Sequence, residues 1–236
     1  TFPGSNYLVG AGLHDSSAAL IPYLLNFHEP FILISTGTWC ISFNPFNHSA
    51  LTAAELQQDC LFYLTHSGTP VKASRLFAGQ EHEVQSKRIA DYFAVTAAKF
   101  RNLQIDWDVV ATLREKFVFE GAALSSFGER DIAGFTSYSE AYHCLILDLV
   151  QAQLYATGLV MGDQKMSRIF VDGGFGKNAI YMNLIAERFQ DVEVYAASMA
   201  QATAIGAALV MHKHWNSLAV PHDLIELRYF NGHSKD

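Results

Sequence analysis

From residue 168 onward the chain repeats one pattern twice: "RIFVDGG" runs into "KNAIYMNLIAERF", then "VEVYAAS" runs into "QATAIGAALVMHKHW". A short apolar run closed by small residues and followed by a helical-period stretch is a strand–helix unit. Two in succession predict an α/β layered fold. The second helix carries Ala202, Ala204, Gly206, Ala207 and Ala208, which predicts close packing on a neighbour. Upstream, "YLVGA" (7–11) reads as a buried strand and "DSSAALIPYLL" as a helix that tolerates Pro22 or kinks there. "FILIST" and "WCISFN", parted by "TGT" (36–38), read as a hairpin. "CLFYLT" is a short strand among the loops of 44–72. Residues 73 to 100 read as helical, and 106–117 as a helix with an acidic first turn. The stretch 118–137 has no clear period. "SYSEAYHCLILDLVQAQLYATGLVMG" is one long helix, opened by a Ser or Thr cap and closed near a glycine.

Composition narrows the function classes. At 236 residues the chain holds one large domain or two small ones. A net charge of −7 without any basic stripe excludes a nucleic-acid partner. Apolar runs such as "ALIPYLL" and "FILIS" are too short to span a bilayer, so no membrane partner is expected. The start, "TFPGSNY", lacks the basic and apolar regions of a signal peptide. Cys40, Cys60 and Cys144 fit neither a disulfide framework nor a zinc site, which points to the reducing cytoplasm and to no resident metal site. His82, His212 and His214 show no ligand spacing and read as solvated or internally satisfied side chains. Oligomeric state, a homo-oligomer included, is not legible.

Three stretches set small residues at the mouth of a strand: "GAGLHD" (10–15), "STGT" (35–38) and "DGGFGKN" (172–178). Such turns let backbone N–H groups approach an anion, and a following helix adds partial positive charge. Two nucleotide motifs are excluded. "GAGLHD" lacks the third glycine of the dinucleotide fingerprint, and the acidic residue about twenty positions on, Glu29, precedes the next strand instead of ending it. "DGGFGKN" has Gly176–Lys177, but Asn178 replaces the Ser or Thr of a Walker loop and Val171 its first glycine. No G-x-S-x-G elbow exists. Asp15, ahead of "SSAAL", is equally a helix cap and a carboxylate placed to take a proton.

In this order the three loops resemble the C-terminal half of the FGGY carbohydrate kinases. "GLHDSSAA" is similar to the catalytic turn of the rhamnulokinase and fuculokinase branch, and "ISTGTWCIS" to its phosphate-binding hairpin. "VDGGFGKNAIYMNLIAERF" with "VYAASMAQATAIGAAL" is similar to its adenosine loop and closing helix. The likeness spans residues 7–212 and is least diagnostic over 44–165. It implies an actin-like ATPase (ribonuclease H-like) fold, an α/β mixed sheet with flanking helices. It further implies that residues 1–236 are the C-terminal domain of a sugar kinase without its N-terminal domain, truncated or cleaved, and inactive alone.

Carried over residue by residue, Asp15 falls on the catalytic base, and His14 beside it on a residue that orients the base or touches the sugar, unless it only packs on the turn. Gly37 and Thr38 fall on the hairpin that holds ATP phosphates, although Thr38 also suits a plain turn. Gly173, Gly174 and Asn178 fall on the adenosine loop, where Asn178 also suits a helix cap. The implied reaction is transfer of the ATP γ-phosphate, with Mg2+, to a ketose such as L-rhamnulose or L-fuculose. Phe175 departs from the family, which often has a third glycine there. The rival reading is a non-catalytic actin-like module that binds nucleotide and regulates.

Overall fold

Alternation along the central strands divides the protein into layers. On β1 (Phe31–Thr36), Phe31 and Leu33 enter one core while Ile32 and Ile34 enter another. On β5 (Arg168–Gly173), Phe170 joins the first core, and Ile169 and Val171 join the second. A strand buried on both faces reads as a continuous apolar run, as Phe31–Ile34 and Ile169–Val171 do. The computed structural model describes residues 12–119, 125–221 and 223–232, with Gly4. The expected strand 7–11 lies outside the described residues.

The remaining strands are β2 (Cys40–Asn44), β3 (Cys60–Leu64), β4 (Pro70–Leu76), β6 (Glu193–Ser198) and β7 (Glu226–Phe230). They form a seven-stranded mixed sheet in the order β3-β4-β2-β1-β5-β6-β7. β1 pairs antiparallel with β2 and parallel with β5, and β6 extends the parallel part. The helices are α1 (Asp15–Asn26), α2 (Ala53–Gln57), α3 (Ala78–Tyr92), α4 (Trp107–Lys116), α5 (Tyr138–Met161), α6 (Ala179–Arg188) and α7 (Ala202–Trp215). Leu20 and Tyr23 of α1 close the first core, while α3 to α6 cover the second. This is the expected mixed α/β architecture.

Two expectations need correction. The span from residue 73 is not one helix: it begins inside β4, passes into α3 and ends in a 3-10 turn, Ala97–Asn102. β4 was hidden because its buried face is polar. Ser74 Oγ donates to the Ala156 carbonyl (2.6 Å), and the buried Lys72 Nζ donates to Ser49 (3.0 Å) and Glu55 (2.6 Å). The long helix α5 is also apolar and long enough to cross a membrane, which the short runs did not suggest. Its side chains instead fill the second core.

The aperiodic stretch ahead of α5 is pinned by charge. Arg130 grips Asp148 of α5 through Nε (2.8 Å) and Nη2 (2.9 Å), and Ser126 Oγ donates to the same carboxylate. Beyond α7, the edge strand β7 had no apolar alternation to announce it: only Phe230 is buried.

Pro22 sits inside α1 and has no N–H for the Ala18 carbonyl one turn back. Gly206 of α7 presses against that freed carbonyl, so close that a Cβ on it would lie 1.8 Å from the oxygen. The close packing expected of α7 therefore rests on Gly206, while Ala204, Ala207 and Ala208 are exposed. Gly206→Ala should lower stability by about 1–3 kcal/mol through overpacking. Gly158→Ala, on an exposed face of α5 where nothing lies within 4 Å of the new methyl, should raise it by about 0.5–1 kcal/mol. Urea denaturation of both variants checks the pair; equal midpoints would refute the packing argument.

Candidate functional site

The sheet topology brings two of the glycine loops together, because parallel β1 and β5 end side by side with Thr36 opposite Gly173. Thr36 then stitches them. Its hydroxyl donates to the Asp172 carbonyl (2.6 Å) and accepts the Phe175 N–H (3.0 Å), while its carbonyl accepts the Gly174 N–H (3.2 Å). Gly173 has φ +93°, and a Cβ there would meet the Thr36 carbonyl at 2.0 Å. Its glycine is demanded by this crossing of chains and does not make room for a base.

From the other side comes the first turn of α3. A Cβ on Gly79 would lie 1.8 Å from the Gly37 carbonyl, and the Gln80 N–H donates to the Thr38 carbonyl at 3.3 Å. Between the two loops and α3 opens a cleft of about 620 Å³, lined among others by Gly37, His82, Phe100, Arg101, Gly174, Phe175, Lys177 and Asn178. Gly174 has open space where a Cβ would go.

The expected residues divide. Gly37, Gly174 and Asn178 line the cleft, whereas Thr38 and Gly173 adjoin it without lining it. The Gly37 N–H is spent on the Trp39 carbonyl (2.9 Å) and the Gly174 N–H on Thr36, so neither is free for a phosphate. Among the described residues, no hydrogen bond occupies the hydroxyl of exposed Thr38. Asn178 does cap α6: its Oδ1 accepts the N–H groups of Ile180 and Tyr181 (both 3.1 Å), and its Nδ2 donates to Tyr142 Oη (2.8 Å). Phe175 is buried and stacks on Tyr181 at 4.6 Å, which settles its bulk into the cleft floor.

Asp15 and His14 do not line this cleft. They open α1, where His14 holds the N-cap position and Asp15 is the first helical residue. Both are exposed, at 74% and 60%. His14 Nδ1 lies 2.9 Å from Asp15 Oδ1 and 3.2 Å from the Ser16 nitrogen. One nitrogen cannot donate to the first and accept from the second. The shorter contact, with Nδ1–H donating to the carboxylate, leaves the Ser16 N–H to Asp15 Oδ1 at 2.7 Å. Asp15 Oδ2 has no partner among the described residues.

Sequence reading missed Gly79, His82, Phe100 and Arg101, and set Lys177 aside with the failed Walker loop. Arg101 and Lys177 form no contact ion pair among the described residues, although Lys177 acts electrostatically on Asp172, and both line the cleft. His82 is held neutral, its pKa pushed down to about 4 by burial. His212, by contrast, is satisfied by the Leu218 carbonyl at 2.8 Å. All three cysteines are free and buried. Among the described residues no three His, Cys, Asp or Glu side chains gather as a metal site.

Comparison with known proteins gives this geometry its family. A carbohydrate kinase from Novosphingobium aromaticivorans shares the fold with a TM-score of 0.64 at 22% identity, covering 95% of this chain and 49% of that one. Xylulose kinases from Lactobacillus acidophilus (TM-score 0.62, 13% identity, 90% and 45% covered) and Rhodospirillum rubrum (0.58, 14%, 95% and 46%) are similar too. The chain thus spans about half the length of these structures. No curated protein matches it. The family described as carbohydrate kinase FGGY, C-terminal domain, matches residues 28–219, which take in the hairpin and the cleft but begin after Asp15. With most of its length inside that match and an actin-like mixed sheet to carry it, the chain belongs to the FGGY carbohydrate kinases.

Proposed function

We propose that this chain is the nucleotide-holding, C-terminal half of an ATP-dependent sugar kinase. The observation that carries the reading is the cleft itself: Arg101 and Lys177, neither in a contact ion pair among the described residues, line it together with the aromatic rings of Phe100 and Phe175. Rings suit a base, and Lys177 and Arg101 suit a polyphosphate. The Thr38 hydroxyl, beside the cleft, is a further donor to phosphate. Gly174 lets the nucleotide approach the backbone.

Asp15 is the proposed base. Its Oδ1 is held by His14 and the Ser16 N–H, which leaves Oδ2 to take the proton of a sugar hydroxyl. The sugar oxygen attacks the γ-phosphorus as the bond to the β-phosphate oxygen breaks, giving sugar phosphate and ADP. Phosphoryl transfer needs alignment and charge neutralisation more than covalent help, so one positioned carboxylate suffices. Mg2+ would offset phosphate charge; it is commonly held by the phosphates and one or two carboxylates, a demand that needs no protein cluster.

A second half would complete the sugar side, and residues 1–236 alone should turn over no sugar. The ketose class, L-rhamnulose or L-fuculose among its members, rests on the likeness of the loops. Two structural neighbours are named for xylulose, also a ketose. The buried free cysteines support a cytoplasmic setting. The rival, a nucleotide-responsive module without chemistry, draws on Asp15 lying outside the cleft.

In the complete kinase, Asp15→Asn should cut ketose-dependent ADP release by about 10²–10⁴-fold while ADP affinity holds. Activity that survives the variant would return Asp15 to a helix-start residue, and ADP binding with no release on any ketose would favour the rival. Lys177→Ala and Arg101→Ala should each weaken ADP by about tenfold yet leave adenosine binding unchanged. Calorimetric titration checks this; an equal loss for adenosine would move the cations away from the phosphates.

A further inference from the structure

A chain of three buried or half-buried side chains decides which nitrogen of His82 carries its proton. Asn178 Oδ1 is fixed as an acceptor by the two N–H groups of the α6 cap, so its Nδ2 must be the atom that donates to Tyr142 Oη, at 2.8 Å. Tyr142 is fully buried, and its own hydroxyl proton needs an acceptor. Among the described residues the one other polar atom bonded to that oxygen is His82 Nε2, at 2.7 Å. Nε2 therefore accepts. A neutral imidazole that accepts at Nε2 carries its hydrogen on Nδ1.

Nδ1 is neither bonded to the protein nor among the enclosed polar atoms that lack a partner. His82 lines the cleft, so this N–H is available to what enters it. The ring cannot turn freely. Phe100, Phe175 and Tyr142 stand edge-on to it at 5.0, 5.2 and 5.8 Å. Burial keeps the ring uncharged at neutral pH, which suits it to an uncharged partner; the phosphates have Lys177 and Arg101 instead.

We propose that His82 is the base-reading residue of the cleft: its Nδ1–H is a fixed donor to a ring-nitrogen lone pair of the purine, and Asn178 with Tyr142 are the positioning residues that hold it as a donor. The inference rests on the nucleotide reading above and deepens it. It assigns the aromatic wall to the base. It also gives Asn178, through two hydrogen bonds, an influence on a base that its own committed side chain does not require it to touch.

The test is binding of ADP and of its 1-deaza, 3-deaza and 7-deaza analogues, each lacking one ring nitrogen, by calorimetry. Wild-type protein should bind one analogue about 5- to 10-fold more weakly than ADP, the worth of one uncharged hydrogen bond. His82→Phe should bind ADP with the same loss and no longer distinguish that analogue. Histidine ¹H–¹⁵N correlation spectra should show His82 protonated at Nδ1, and Tyr142→Phe, which keeps the ring and removes the hydroxyl, should admit the Nε2-protonated form and blunt the discrimination. Wild-type binding that ranks all four nucleotides equally, or an Nε2 proton in the wild type, overturns the assignment and leaves the nucleotide reading intact. Failure of the wild type to bind ADP at all overturns the nucleotide reading, and the assignment with it.

Discussion

Everything at the cleft depends on Thr36. A parallel pair such as β1 and β5 leaves two loops at the same sheet edge, but parallel pairing alone does not fix how those loops lie. Thr36 fixes them with three hydrogen bonds to residues 136 to 139 positions away: to the Asp172 carbonyl, the Gly174 N–H and the Phe175 N–H. The hydroxyl serves as donor and acceptor together, so a valine of the same shape would leave the buried Phe175 N–H without a partner. The cost of this approach is borne by Gly173, which must take a positive φ with no Cβ. On the far side Gly79 allows α3 the same intimacy with Gly37. The cleft walls are thus spaced by close backbone approaches at Gly173 and Gly79, with the Thr36 hydroxyl fixing the first.

The parallel half of the fold was legible because its strands are apolar on both faces and each runs straight into a helix. The antiparallel half was less so. Where β2 and β4 meet α5 the interface is a buried polar seam: Ser42 and Thr157 hydroxyls lie 2.9 Å apart, Gln153 donates to both, and Asn44 donates to the Val160 and Met161 carbonyls. Polar residues at buried positions erase the two-residue alternation by which a strand is recognised, and β4 was absorbed into the helix after it. Such a seam is stable only when its members are satisfied. Gln153 Oε1 is the member left without a partner among the described residues.

The site divides along the same line. Gly37, Gly174 and Asn178 could be found because a backbone conformation or a helix start demands their residue types. His82, Phe100 and Arg101 carry no such demand. They come from α3 and the turn after it, 70 to 100 positions away from the 172–178 loop, and only the packing of Gly79 on the hairpin delivers them. The patterned stretch "GTPVKASRLFAGQEHE" acquires its meaning from that contact: it is the polar-faced strand β4, the small residue that docks α3, and the histidine that α3 carries into the cleft.

The hydrogen-bond chain from Asn178 to His82 has a consequence for how the core and the site communicate. Tyr142 belongs to α5, a helix so apolar that composition alone would suit it to a bilayer, and its ring is packed between Phe100, Tyr138 and His82. Its hydroxyl reaches the cleft wall and has two partners among the described residues: one bond from Asn178, one to His82. The one hydroxyl thus ties α5 both to the residue that caps α6 and to the histidine that faces the cleft. A long apolar helix is usually read as ballast for the sheet. Here it carries the hydroxyl that makes the cleft present a donor, because the Tyr142 proton has no acceptor but His82 Nε2 among the described residues.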